Sequence, residues 1–100
     1  MSSKGGEVRV LMIMHPADNV AVCLRPLEAG EIIQVMHAGK TLSIEARGAV
    51  PLGHKVALSQ VARGQKVIKY GETIGRALKD IAAGEHVHDH NIADYEGVTP

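Results

Sequence analysis

The string His86-Val87-His88-Asp89-His90 places three imidazoles at alternate positions near the end of the chain. On a strand, alternate side chains share one face and stand about 7 Å apart along the chain. Neighbouring imidazoles can then converge on one cation, at about 2.0–2.1 Å from each ring nitrogen. His86, His88 and His90 are therefore the candidate metal ligands, with Asp89 turned to the other face. The plainer explanation is an exposed polar strand face. His15-Pro16-Ala17-Asp18-Asn19 is a second candidate, in a turn between two apolar runs. Proline fixes the bend, and Asp or Asn side chains satisfy loop amides. Turn chemistry accounts for Asp18 and Asn19 but leaves His15 free to face a reacting group. His54, in Gly53-His54-Lys55, joins His15 as a candidate catalytic residue. Lys55, Lys69 and Arg76 are candidates for holding a substrate carboxylate, Arg in a bidentate manner. Each of these cations taken alone is equally explained as surface charge.

Other chemistries find no support. There is no phosphate-cradling loop of the Gly-x-x-x-x-Gly-Lys kind and no dinucleotide fingerprint. No serine sits in a nucleophile elbow. The one cysteine, Cys23, cannot form an internal disulfide, and it lies in the apolar run Val20–Leu24, where a small buried hydrophobe is the simplest expectation.

The elements that position these residues are organised by a recurring turn. An apolar residue, two further residues, a glycine and then a β-branched residue recur as Leu27-Glu28-Ala29-Gly30, Val50-Pro51-Leu52-Gly53, Val61-Ala62-Arg63-Gly64 and Ile81-Ala82-Ala83-Gly84, followed by Ile33, Val56, Val67 and Val87. Residues before each glycine suit a single helical turn ended by glycine in the left-handed region. The β-branched residues beyond it favour extension. The glycine spacing is irregular, so the chain is not a solenoid. Strands are predicted at 8–14, 19–24, 31–37, 41–44, 54–58, 65–69 and 85–91. Ala38-Gly39 suits a hairpin, and Lys69–Glu72 and Ile74-Gly75-Arg76 suggest bends. The fold class is mainly β, short strands with single-turn helical corners.

One hundred residues suffice for one small domain. Apolar residues are 45% of the chain, yet it has no Phe, no Trp and two tyrosines, so the core must be aliphatic. Such a domain buries only about 60% of its unfolded surface, and stabilisation by a partner would be in keeping. Eleven basic residues balance eleven acidic ones, with no basic run and too few aromatics to stack bases, which argues against nucleic acid. The apolar run at Val10–Met14 is too short to span a membrane and no cleavage site follows it. A cytoplasmic protein is expected.

Gly53-His54-Lys55-Val56-Ala57-Leu58, Val67-Ile68-Lys69-Tyr70-Gly71, Ile74-Gly75-Arg76 and Gly84-Glu85-His86-Val87-His88-Asp89-His90-Asn91, preceded by His15 and Asp18-Asn19-Val20-Ala21-Val22, together resemble the N-terminal domain of altronate and galactarate dehydratases. The resemblance covers about residues 14–92. It implies an SAF-like β-clip domain over residues 1–93; residues 94–100, with Gly97 and Pro100, read from their composition as a mobile tail unless a partner docks it. It also implies a metal-dependent lyase that removes water from a sugar acid with a divalent cation, usually Fe2+. The large remainder of those enzymes has no counterpart here, so a separate large dehydratase-like catalytic subunit is the expected partner and a sugar acid or related hydroxy acid the expected substrate. Sulfolactate sulfo-lyase, whose small subunit is similar and whose leaving group is sulfite, is an alternative. A stand-alone sugar-acid-binding module without catalysis is another, because fold alone does not fix function.

Overall fold

In the computed structural model, described for residues 9–94, nine short strands build three antiparallel sheets. The strands are β1 (Leu11–Met12), β2 (Val20–Cys23), β3 (Ile32–His37), β4 (Lys40–Glu45), β5 (Lys55–Ala57), β6 (Lys66–Lys69), β7 (Glu72–Ala77), β8 (His86–Val87) and β9 (Ile92–Asp94). One sheet has the order β1-β2-β5-β8, the hairpin β3-β4 stands as a second, and β6-β7-β9 form the third. The mainly β expectation is met. The tail expected from residue 94 lies, from residue 95 onward, outside the described residues.

The repeated corners are not helical turns, and among the described residues there is no helix. Each is a single β-turn closed by one bond from residue i+3 to residue i: Glu31 N–H to the Glu28 carbonyl, His54 to Pro51, Gln65 to Ala62 and Glu85 to Ala82. The glycine at i+2 has φ of +86, +83, +86 and +87° respectively. That is the type II geometry, whose i+2 position requires the left-handed region. The chain leaves it extended, so no second helical bond can form.

Corners pair in twos. Leu27 bridges Val50, and Val61 bridges Ile81, each through two reciprocal backbone bonds. Further bonds repeat between the halves: Gly30 N–H to the Ala46 carbonyl matches Gly64 to Ala77, and Gly53 to Cys23 matches Gly84 to Ala57. The irregular spacing in sequence therefore conceals an internal duplication, hairpin β3-β4 corresponding to hairpin β6-β7. Each half has its own aliphatic core, one around Cys23, Leu27, Ile33, Ala46, Val50 and Val56, the other around Ala57, Val61, Val67, Ala77, Ile81 and Val87. Burial pushes the Cys23 thiol up to about 11, so it packs as a hydrophobe.

Both hairpins turn through two residues of positive φ, Ala38-Gly39 (52° and 80°) and Tyr70-Gly71 (56° and 81°). These are type I′ turns, which match strand twist and prefer Asn-Gly. A bulky residue in the left-handed region costs roughly 1–2 kcal/mol, so Tyr70 is not there for the turn's benefit.

Two expectations are corrected. Ile74-Gly75-Arg76 is the centre of β7, not a bend; a Cβ on Gly75 would overlap the Ala93 carbonyl oxygen of β9, so glycine marks a close approach of strands. The strand expected over residues 85–91 stops at Val87, and His88–Asn91 form a turn. His86, His88 and His90 thus do not lie along one strand face.

Candidate functional site

The second corner differs from the others in one respect. In three corners the side chain at i+3 reaches back to the N–H of residue i: Glu31 Oε1 to Glu28 (3.1 Å), Gln65 Oε1 to Ala62 (2.6 Å) and Glu85 Oε1 to Ala82 (2.8 Å). The second has Pro51 at i, which carries no N–H, and His54 at i+3. With nothing to clamp, the imidazole is released from turn duty. It points instead to the end of β8.

Strand pairing sets the meeting point. Lys55 is opposite Val87 and Val56 opposite His86, so the residue entering β5, His54, lies at the end of β8 where the chain turns into His88. His54 Nδ1 is 2.9 Å from His86 Nε2. The His54 and His88 rings stack with centroids 4.4 Å apart. One ring nitrogen from each of His54, His86 and His88 lies within 4.8 Å of the other two, all three side chains half-buried. His90 is exposed, its ring 5.3 Å from that of His86, and is not in this group. The structure thus replaces His90 with His54 in the metal-capable set.

A buried amide holds His86 of β8 and His88 just beyond it. Asn91 is 0% exposed. Its Oδ1 accepts from the His88 N–H (2.9 Å) and its Nδ2 donates to the His86 carbonyl (2.8 Å). Its own N–H donates to the His88 carbonyl. Burial, then the neighbouring His54, His90, His88 and Lys55, hold the His86 imidazole below its ordinary value. The shift favours the neutral imidazole, the form that ligates metal. In a tetrahedral site nitrogens about 2.05 Å from the ion stand about 3.3 Å apart, so the trio fits a divalent cation with only small ring movements. Three protein ligands leave a fourth position open, as in catalytic sites.

Lys55 is half-buried beside His54. Burial, then the charge of Lys69, lower its ammonium pKa, and Asp89 opposes this, so Lys55 and Lys69 share one neighbourhood. Arg76 is elsewhere, its guanidinium donating to the Gly64 carbonyl at the third corner (2.9 Å). His15 is also separate. Its Nδ1 accepts from the Ala17 N–H and its carbonyl is 3.2 Å from His37 Nε2. Its ring lies over Gly71, where a Cβ would come within 2.8 Å. Among the described residues no hydrogen bond or ring contact joins it to the histidine trio.

What fixes His15 against the hairpin tip is Asp18, 3% exposed. Its carboxylate accepts from the N–H groups of Met14 (3.1 Å), His15 (3.2 Å) and Gly71 (2.8 Å). Burial alone would raise this carboxyl, but the backbone donors of Gly71, Met14, Tyr70 and His15 outweigh it and hold it below 3.8. A group bound more weakly to protons in the folded state stabilises above its unfolded value and loses that contribution as pH falls through its folded value. The domain should therefore lose stability as pH falls below about 4, with Asp18→Asn flattening that part of the profile. Thermal unfolding between pH 2 and 6 checks this; parallel profiles for the two proteins would refute it.

Two features of the site have no counterpart among the sequence-based candidates. Asn91 carries no signal of its own in sequence, whereas the Pro51–His54 exchange is visible once the four corners are aligned. A groove of about 460 Å³ between β1 and β3, lined by Val10, Leu11, Ile13, Ile33, Val35 and Met36, contains none of the candidate residues.

Residues 9–95 match the family model described as the altronate/galactarate dehydratase SAF domain. The altronate dehydratase of Escherichia coli K12 is 51% identical over 78 residues, 78% of this chain and 15% of that protein. The (2R)-sulfolactate sulfo-lyase subunit alpha of Chromohalobacter salexigens is 40% identical over 84 residues, 80% of this chain and 89% of that subunit. The galactarate dehydratase (L-threo-forming) of E. coli K12 is 32% identical over 78 residues, 76% of this chain and 14% of that enzyme. The chain thus spans a small part of the dehydratases and nearly all of the sulfo-lyase subunit.

Proposed function

The chain belongs to the altronate/galactarate dehydratase SAF domain family, and from that membership we propose that it is the small subunit of a metal-dependent lyase that eliminates water from a sugar acid, working against a separate large catalytic subunit. The observation that carries the reading is the trio His54, His86 and His88, brought together where the segment entering β5 meets the end of β8, half-buried and so still open to solvent, with a fourth position free. Such a face can act on substrate only when another body covers it. These three residues would hold a divalent cation, Fe2+ by the family resemblance, which when bound supplies Lewis acidity to a departing hydroxyl. Lys55 and Lys69 would bind the substrate carboxylate as point charges. His15 stands apart from the trio on the Asp18 anchor, against the β6-β7 hairpin tip, and would serve the reaction as a second contact to the substrate.

The coverage of the sulfo-lyase subunit favours a second reading, sulfite elimination from sulfolactate. Assaying the chain together with its large subunit for altronate dehydration and for sulfite release separates the two. In whichever reaction proceeds, His88→Ala should weaken Co2+ binding by roughly a hundredfold, the upper end of what even an outer-shell change costs, and turnover should fall with it. His90→Ala should leave both near wild type. Equal effects of the two substitutions would discard the trio assigned here, and full activity in His54→Ala/His88→Ala would discard the site.

A further inference from the structure

Tyr70 is the one Phe, Tyr or Trp side chain among the described residues, and neither core uses it. It is 40% exposed. The matching position in the other hairpin is Ala38, in the same left-handed conformation. The fold accounts for the φ of both residues but asks for no ring at either. A side chain retained where Asn or Gly suits the turn better points to function.

Its surroundings say which function. The Lys69 ammonium lies 5.2 Å from the Tyr70 ring centroid, over the ring. Asp18 and the His15 ring grip the adjoining Gly71, so the tip is fixed where an unsupported hairpin end would sway. Lys69 is half-buried, and among the described residues no carboxylate forms an ion pair with it. An ammonium held over an aromatic ring that carries a phenol hydroxyl brings a charge and a directional donor to one end of the hairpin, where a single anion could use both. We propose that Tyr70 is a substrate-contacting residue that forms, with Lys69, the subsite for the carboxylate of the bound hydroxy acid.

The proposal rests on the hydroxy-acid reading above, and its test separates the two. The full chain, free of metal, is titrated with altronate while the ring resonances of its two tyrosines are followed, the Tyr70 signal being assigned as the one lost in Tyr70→Asn. Altritol, which has a hydroxymethyl group in place of the carboxylate, is the control. Altronate should shift the Tyr70 ring, and altritol should leave it unmoved. Tyr70→Asn, suited to the type I′ turn, should weaken altronate binding at least about tenfold while Tm stays within about 4 °C of wild type or rises. A purely structural tyrosine would instead show a lower Tm with unchanged affinity, and that result overturns the proposal. So does a response shared by altritol. Shifts at His54 and Lys55 without Tyr70 refute the subsite alone. No shift anywhere with altronate or sulfolactate removes the subsite, while the hydroxy-acid reading stands or falls separately on turnover by the chain assembled with its large subunit.

Discussion

Asn91→Ala is expected to lower stability by roughly 2–5 kcal/mol and to abolish the metal affinity of the histidine trio. The size of the first effect follows from two backbone groups, the His88 N–H and the His86 carbonyl, that lose their partner while staying shielded. Leaving such a group unsatisfied costs about 1–3 kcal/mol. Domains of this size have about 5–15 kcal/mol in total, so Tm should fall by at least about 10 °C. The functional loss has a separate origin. β8 contributes only His86 and Val87 to the sheet, so pairing with β5 positions His86 but not His88. The turn that returns the His88 ring toward His54 is closed by the Asn91 amide. Urea unfolding gives the first effect and Co2+ titration, below the unfolding transition, the second. Retention of wild-type affinity in a folded Asn91→Ala protein would show that strand pairing alone sets the trio. Asn91→Asp is no rescue: the carboxylate can accept from His88 but cannot donate to the His86 carbonyl, and it buries a charge.

The same residue explains where sequence reasoning stops. Alternating histidines satisfy the pattern of a strand face, and nothing local in His86–His90 forbids extension. The strand ends because a buried amide three residues beyond His88 offers its backbone a better partner, a tertiary arrangement with no periodic signature. Strand β7 escapes sequence reasoning for a related reason. Gly75 resembles a turn residue in sequence, yet it is required by the closeness of β9, which joins the sheet only after the chain has passed the fourth corner. The four corners, by contrast, are legible because their determinants are local: an apolar anchor, a glycine at i+2 and a β-branched residue after it. Their type is not. A helical turn and a type II turn share the i to i+3 closure, and they part only at the peptide before the glycine. Among site residues, His54, His86 and His88 are each recognisable by type. Their grouping depends on β5 pairing with β8, which closes the 32-residue separation of His54 and His86 over an intervening hairpin, and spacing in sequence cannot express that.

Gly84→Ala should be the most damaging glycine-to-alanine change among the described residues, costing more than about 4 kcal/mol and leaving the protein largely unfolded at 37 °C. The turn conformation accounts for only part of this. Gly64 occupies the same position in the third corner with φ of +86° and nothing within 4 Å of where a Cβ would stand, so Gly64→Ala isolates the left-handed penalty of about 1–2 kcal/mol. Gly84 has nearly the same φ but is buried, and an added methyl would overlap the Glu45 carbonyl oxygen of β4. Relief requires the fourth corner to retreat from the first hairpin. Retreat would break the bonds from the Gly84 N–H to the Ala57 carbonyl (2.8 Å) and from the Arg47 N–H to the Gly84 carbonyl (2.9 Å). Those bonds tie the segment entering β8 to both halves of the duplication, and His86 lies two residues beyond. The difference in unfolding free energy between Gly84→Ala and Gly64→Ala therefore measures how firmly the histidine-bearing strand is seated. If the two variants unfold together, the close approach at Glu45 contributes nothing, and the trio's position would have to be set from β5 and Asn91 alone.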